Sequence, residues 1–354
     1  MARVLYSIIF TALALAMVGC SLKGASTDVL TSAAPAQSMS GSSPDALHVH
    51  IKEFADLPKY GTGSANYYPG PIAAGPDGLL WVVDSIDQDF GATAIVGIET
   101  SGKAKHEYIS RNNYIDYLDI TAGPDGALWL TDGYQGQITR LTTSGSLTNY
   151  SVENERPSHI AAGPDRALWF TAASGSAGAI GRIATNGKKK FYPLSAQADD
   201  IAAGPGNALW FTERYPSGIG RITTNGKITT YTAGLTGMPD AIALGTDGAL
   251  WFTESGPKIG RIATTGKITE YSQGISRPFI LDIAAGPDGA MWFTENTFGQ
   301  SYSPKIGRIS ADGHITEYSK GLPPKAGPTG IVQGPDKRMW FTDAYNDLTG
   351  RLTP

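Results

Sequence analysis

Cysteine is nearly absent. The 354 residues carry one, Cys20, so no disulfide can form within the chain and no thiolate cluster can build a zinc site. Charge is scarce as well: charged residues make up 17%, the net charge is −4, and no basic stripe appears. A nucleic-acid partner needs such a stripe to neutralise phosphates, so that class is excluded. Five histidines fall in no HExxH, Ser-His-Asp or Cys/His pattern, and no phosphate loop is present, so nothing marks a kinase or an oxidoreductase. Long apolar runs are limited to one, at the N-terminus. What is abundant is glycine (44) and proline (22), the composition of a turn-dense all-β chain.

The single apolar run, Val4 to Val18, follows Arg3 and has the length of a signal-peptide core. It ends in Met17-Val18-Gly19-Cys20. A small residue directly before a lone cysteine resembles a bacterial lipobox, in which the cysteine is lipidated and becomes residue one. Residues 1–20 therefore read as an export signal with Cys20 as lipidation site, which places the protein in the bacterial envelope, on the periplasmic or cell-surface side. Residues 21–47, rich in Ser, Ala, Gly and Thr, read as a flexible tether. The membrane is then met only through the lipid anchor.

From residue 48 to 354 the chain repeats. Its seven tryptophans, Trp81, Trp129, Trp169, Trp210, Trp251, Trp292 and Trp340, are spaced 48, 40, 41, 41, 41 and 48 residues apart. The fifth unit shows the frame: Ile242-Ala243-Leu244-Gly245, a Gly-rich turn, Leu250-Trp251-Phe252-Thr253-Glu254, then Ile259-Gly260-Arg261-Ile262 and Ile268-Thr269-Glu270-Tyr271. Four short apolar runs divided by turns predict four antiparallel strands, A to D from the axis outward. A period near 41 with four strands is a propeller blade, so the fold class is a seven-bladed all-β propeller. Small residues end strand A, where the strands crowd the axis; the tryptophan on strand B packs one blade on the next. The last unit stops after Gly350-Arg351-Leu352 and lacks strand D. His50-Ile51-Lys52-Glu53-Phe54 parallels the strand D segment His314-Ile315-Thr316-Glu317-Tyr318, so the N-terminal segment completes blade seven and removes a sheet edge. Such a closed ring is expected to be a monomer.

Departures from the repeat carry the functional signal. Strand B ends in an acid in six blades: Asp84, Asp132, Glu213, Glu254, Glu295 and Asp343, with Ala172 the exception. Two readings stand side by side: ion pairs with the strand C arginines Arg140, Arg182, Arg221, Arg261, Arg308 and Arg351, or an acidic rim that holds a cation. Oxygen ligands such as Asp84, Glu295 and Asp343 suit Mg²⁺ or Ca²⁺. The connections after strand B in blades one and six are long and carry Phe90, and Phe298 with Tyr302. The segment entering blade one holds Tyr60, Tyr67 and Tyr68. Long aromatic loops on a rigid scaffold are typical binding elements. A cleft is therefore expected over blades six, seven and one, beside Asp84, Asp282, Glu295, Thr329, Asp343 and Tyr345. Of the histidines, His50, His106 and His314 lie on outer strands and His48 precedes one. Only His159, in Pro157-Ser158-His159-Ile160 of blade three, enters strand A on the open face.

The repeated unit GPDG-x-LWFTE, KIGRI, G-x-ITEY resembles the streptogramin B lyase (virginiamycin B lyase) family over the whole chain from residue 48 onward. The resemblance implies a seven-bladed propeller and a magnesium-assisted carbon–oxygen lyase in which a histidine base opens the ester linkage of a cyclic depsipeptide. It also implies Pro-His-[Ala/Gly]-Ile at the start of strand A in blades six and seven. Here blade six reads Arg277-Pro278-Phe279-Ile280-Leu281-Asp282-Ile283, and blade seven reads Gly327-Pro328-Thr329-Gly330-Ile331. Thr329 stands at the base position, Gly327 at one implied metal-binding glutamate, and Ala344, beside Asp343, at the other. A threonine at its ordinary pKa cannot take the proton. The expectation is an exported relative that binds a small-molecule, peptide or glycan ligand, or a protein partner, on its open face without the lyase reaction. The competing expectation is a metal-assisted lyase or hydrolase of a cyclic ester or lactone, led by Asp343, Thr329 and His159.

Overall fold

The computed structural model describes residues 49–353 apart from 55–56, 58–65, 88–91, 111–114, 153–154, 175–176, 278 and 299–302. The leader, the tether, Cys20, His48, Tyr60, Phe90 and Tyr302 lie outside the described residues, as do the side chains of Tyr67 and Tyr68. Residues His50–Thr353 form one compact unit. Among the described residues every regular element is a strand, and the strands assemble into seven four-stranded antiparallel sheets, each in the order A-B-C-D. The seventh sheet draws its outermost strand from the other end of the chain: His50–Phe54 pairs with Leu348–Thr353, setting Ile51 opposite Leu352. Phe54 stacks on Trp340 at 5.3 Å, so the closing strand is held by an aromatic contact as well as by its ladder. One expectation is corrected in detail: strand A of blade one begins at Asn66, so Tyr67 and Tyr68 belong to a strand and not to the loop before it.

The core lies between blades. Trp169 of blade three packs with Leu209 and Phe211 of blade four, Trp210 with Leu250 and Phe252 of blade five, and Trp340 with Leu80 and Val82 of blade one. All seven indoles are buried, and removing one would cost on the order of 3–5 kcal/mol. The glycine of the KIGRI motif follows from the same packing: a Cβ on Gly260 would stand 2.1 Å from the Phe252 ring.

The strand C arginines do not pair with the acids that end strand B, and the register explains why. Arg261 stands opposite Trp251, whereas Glu254 stands opposite Lys258. Five of the six arginines reach instead for the aspartate of the A–B turn: Arg140 to Asp125 and Arg182 to Asp165 at 2.6 Å, Arg261 to Asp247 at 2.8 Å, Arg308 to Asp288 at 2.6 Å, and Arg351 to Asp336 at 3.6 Å. The other oxygen of that aspartate accepts the indole N–H, as in Trp129 to Asp125 at 3.0 Å. Arg182 therefore has a partner although its blade carries Ala172 in place of the strand B acid. Blade four breaks the unit, since Gly206 supplies no carboxylate. Arg221 there donates to the Gly206 carbonyl, and Trp210 Nε1 is left without an acceptor.

Two polar devices tie blades together at the axis. The strand B threonine takes an amide from the strand A of its own blade and gives its hydroxyl proton to a strand A carbonyl of the next. Thr171, for instance, accepts from the His159 amide at 3.1 Å and donates to the Asp199 carbonyl at 2.6 Å. Thr212 treats Asp200 and Asp240 alike, and Thr342 treats Gly330 and Gly70 alike. The second device is an axial aspartate in alternate blades. Asp119 accepts the amides of Ile120 and of Ile160 in the next blade, both at 2.8 Å. Asp200 accepts those of Ile201 and Ile242 at 2.7 Å; Asp282 accepts those of Ile283 and Ile331 at 2.7 and 2.8 Å.

Candidate functional site

The register between strands A and B slips at the start of strand A, between Pro157 and Ile160 in blade three, and likewise in the other blades. The slip leaves two bulged residues in six blades, and one in blade two, at the mouth of the axial channel, on the end of the ring where strand B also finishes. The bulge residues are Leu118, which precedes the paired Asp119, and Ser158-His159, Asp199-Asp200, Asp240-Ala241, Leu281-Asp282, Thr329-Gly330 and Gly70-Pro71. Bulges aim side chains independently of the repeat, and charge collects here.

Blades three to five carry most of it. Arg214, the residue after strand B of blade four, donates Nε to Asp199 Oδ2 at 2.6 Å and Nη2 to Asp240 Oδ1 at 2.7 Å, bridging neighbouring blades. Asp199 also holds His159: its backbone carbonyl accepts Nδ1–H at 2.8 Å, with the carboxylate 4.0 Å away. Ser158 Oγ lies 3.1 Å from the same Nδ1. A Ser-His-Asp relay needs both ring nitrogens, one for each partner, so this trio is not one. Burial opposes the charge on His159, but Asp200, Asp199 and Asp119 outweigh it and push the pKa up to about 9. His159 is thus an imidazolium at neutral pH and is not poised as a base. Burial also lifts Asp200 to about 6 and Asp282 to about 7. Asp240 is raised by burial and by Asp199, whereas Arg214 and His159 overcome burial and hold Asp199 low. The cluster is recessed yet reachable: the His159 side chain is 33% exposed, Arg214 18% and Asp240 26%.

The residues expected over blades six, seven and one are placed differently. The Thr329 hydroxyl is engaged with the Pro69 carbonyl at 3.1 Å and with Thr342 Oγ at 2.8 Å. Both oxygens of Asp282 hold backbone amides. Asp343 is buried; its Oδ1 accepts the amides of Gly327, Tyr345 and Asn346, and its Oδ2 accepts the Asn346 side-chain amide at 2.7 Å. Glu295 is buried beside Glu317 of the same blade, which accepts from Ser276 and Lys305. Burial and then Glu317 push the Glu295 pKa up to about 9. Asp84 is buried within strand B of blade one, which runs on to Asp87 and so does not end at this acid as expected. Phe298 packs edge-on against Phe279 at 4.8 Å, and Tyr345, 43% exposed, covers the Gly327 backbone. Asp84, Glu295 and Asp343 thus sit each within its own blade. Among the described residues no three His, Cys, Asp or Glu side chains are grouped to hold a metal ion.

The profile of the virginiamycin B lyase family matches residues 49–200 and 176–354, which together span the ring. The chain belongs to the virginiamycin B lyase family. Solved structures agree. A catalytically inactive histidine-to-alanine variant of virginiamycin B lyase from Staphylococcus aureus, with quinupristin, superposes with a TM-score of 0.74 at 32% identity, over 87% of this chain and 100% of that one. The selenomethionine-substituted enzyme from Staphylococcus aureus gives 0.72 at 33% identity, over 87% and 100%. A streptogramin B lyase structure gives 0.70 at 32% identity, over 86% and 97%. No curated protein sequence matches the chain.

Membership in the virginiamycin B lyase family makes the bulge positions comparable between blades. Pro328 pairs with Asp343 and Ile280 with Glu295, so Thr329 in blade seven and Leu281 in blade six stand where the resemblance implies histidines. The magnesium ion implied by the same resemblance does not fit these residues. Gly327 offers no side chain, and the Asp343 carboxylate is already occupied by four N–H donors. The residues that sequence reasoning missed are Asp199, Asp200, Arg214 and Asp240. Asp199, Asp200 and Asp240 were signalled by carboxylates in the two places before the strand A isoleucine, in Ala198-Asp199-Asp200-Ile201 and Pro239-Asp240-Ala241-Ile242, whereas Arg214, one residue past strand B, carried no such signal.

Proposed function

We propose that this member of the virginiamycin B lyase family is an exported protein, lipid-anchored through Cys20, that binds a ligand or partner on its open face and does not run the family's elimination. One observation carries the reading: the two implied histidine positions hold Leu281 and Thr329, and the threonine hydroxyl is engaged in holding blades seven and one together. The nearest histidine on the mouth, His159, supports it further, because its carboxylate neighbours keep it protonated. The N-terminal segment, with a lone cysteine after an apolar run, supports export and anchoring.

The test is to incubate the purified chain with quinupristin, with and without magnesium and with and without a chelator, and to follow the linear product by mass spectrometry. No linear product in any arm is expected. Magnesium-dependent, chelator-sensitive opening would overturn the reading in favour of a metal-assisted lyase built from other groups. Radiolabelled palmitate incorporation that is abolished by Cys20→Ser tests the anchor.

A further inference from the structure

Among the described residues, five large hydrophobic or aromatic side chains are exposed, and three of them are tyrosines at one structural position, two residues past the end of strand B. Tyr134 in blade two is 60% exposed, Tyr215 in blade four 55%, and Tyr345 in blade seven 43%. Blade packing does not require them, since blade five places Gly256 there. All three stand on the end of the ring where the axial mouth opens, and Tyr215 directly follows Arg214.

The mouth beside Tyr215 offers hydrogen-bond donors and acceptors side by side. Asp199 grips the His159 ring through its carbonyl and the Arg214 guanidinium through its carboxylate. Those bonds use Nδ1 of the imidazolium and Nε and Nη2 of the guanidinium, which leaves Nε2–H and the Nη1 protons as donors. Asp240, 26% exposed, accepts Arg214 Nη2 on Oδ1 and presents the rest of its carboxyl within the same cluster. The charge balance selects the ligand. An anion would meet Asp119, Asp200 and Asp282 around the axis; a cation would compete with His159 and Arg214, which already neutralise Asp199; and among the described residues no three His, Cys, Asp or Glu side chains are grouped to hold a metal. A neutral ligand rich in hydroxyls meets neither obstacle. Each hydroxyl gives one hydrogen bond and accepts others, so a vicinal pair can satisfy a carboxylate and a guanidinium together. The C–H face of a sugar ring packs flat on an exposed phenol ring.

We propose that this mouth, with Tyr215 as its platform and Asp240, Arg214 and His159 as hydrogen-bonding groups, binds a neutral oligosaccharide. Tyr134 and Tyr345 offer further platforms along the rim for a longer chain. The proposal rests on the reading of the open face as a binding surface, and it places that surface over blades three to five.

The experiment titrates the full chain with chitotetraose, cellotetraose and maltotetraose by isothermal calorimetry. At least one is expected to bind, with Tyr215→Ala weakening it ~10-fold and Asp240→Asn ~5-fold or more. Leu244→Ala, on the opposite end of the ring and 40% exposed, should leave binding unchanged. Tyr215→Ala removes an exposed ring, so its melting temperature should match the parent. Silence of all three saccharides at millimolar concentration overturns the proposal, as does binding that survives Tyr215→Ala. Opening of quinupristin is a separate result, which would overturn the reading beneath it whatever the saccharides do.

Discussion

Glu295 links a single buried proton to the pH dependence of the whole ring. The residue is fully buried, and burial with the neighbouring Glu317 raises its pKa from 4.5 to about 9. The unfolded chain has neither influence. A folded pKa above the unfolded one means that the folded state binds the proton more tightly. The stabilisation is then complete below pH 4.5 and is lost as the pH rises toward 9. Each unit of pH in that window removes up to about 1.4 kcal/mol, so a loss of a few kcal/mol is due by pH 7 on an order-of-magnitude scale. Glu295→Gln keeps the shape, cannot ionise, and can donate its amide to Glu317. The variant should be close to the parent in stability at pH 5 and progressively more stable at pH 7 and 9, with Lys305 still pairing Glu317. Urea unfolding at those three values is the assay. A difference between the two proteins that stays constant with pH would refute the assignment of the proton to Glu295.

Three further outcomes test the architecture. Asp200→Asn turns one acceptor oxygen toward the amides of Ile201 and Ile242 into a donor, and should cost about 2–3 kcal/mol in urea unfolding. Gly260→Ala drives a methyl into the Phe252 ring and should cost roughly 1–3 kcal/mol, with circular dichroism still reporting strands. Phe54→Ala removes the stack on Trp340 and should lower stability by about 3 kcal/mol; hydrogen exchange should then quicken first in Leu348–Thr353, the strand that Phe54 closes.

The fold was legible because its causes are local and repeated. Tryptophan spacing gave the blade period, and the likeness of His50–Phe54 to a strand D segment gave the closure that the Ile51–Leu352 register displays. What could not be read was pairing that depends on register across three strands. The turn aspartate Asp247 looked like turn chemistry alone, yet it also seats Trp251 and Arg261. Glu254, four positions from Lys258 in sequence, looked like a partner for that arginine and faces Glu270 instead. The candidate site escaped for a related reason. Asp199, Arg214 and Asp240 are separated by whole hairpins, and only the ring brings them within hydrogen-bond reach. Loop length pointed to blades six, seven and one, whereas the charged bulges gather in blades three to five.

Seven is an odd number, and the axial aspartates work in twos. Asp119 fastens blade two to three, Asp200 four to five, and Asp282 six to seven, which leaves blade one outside any doublet. Blade one also carries Val83 where its neighbours carry the linking threonine, so its grip on blade two at the axis is apolar. Under tension the molecule is therefore not a uniform hoop. It is a chain of three fastened couples and one single link, blade one, whose hold on blade two comes from apolar packing at the axis and from hydrogen bonds farther out, Thr93 to the Ile115 carbonyl and Tyr108 to the Thr143 carbonyl.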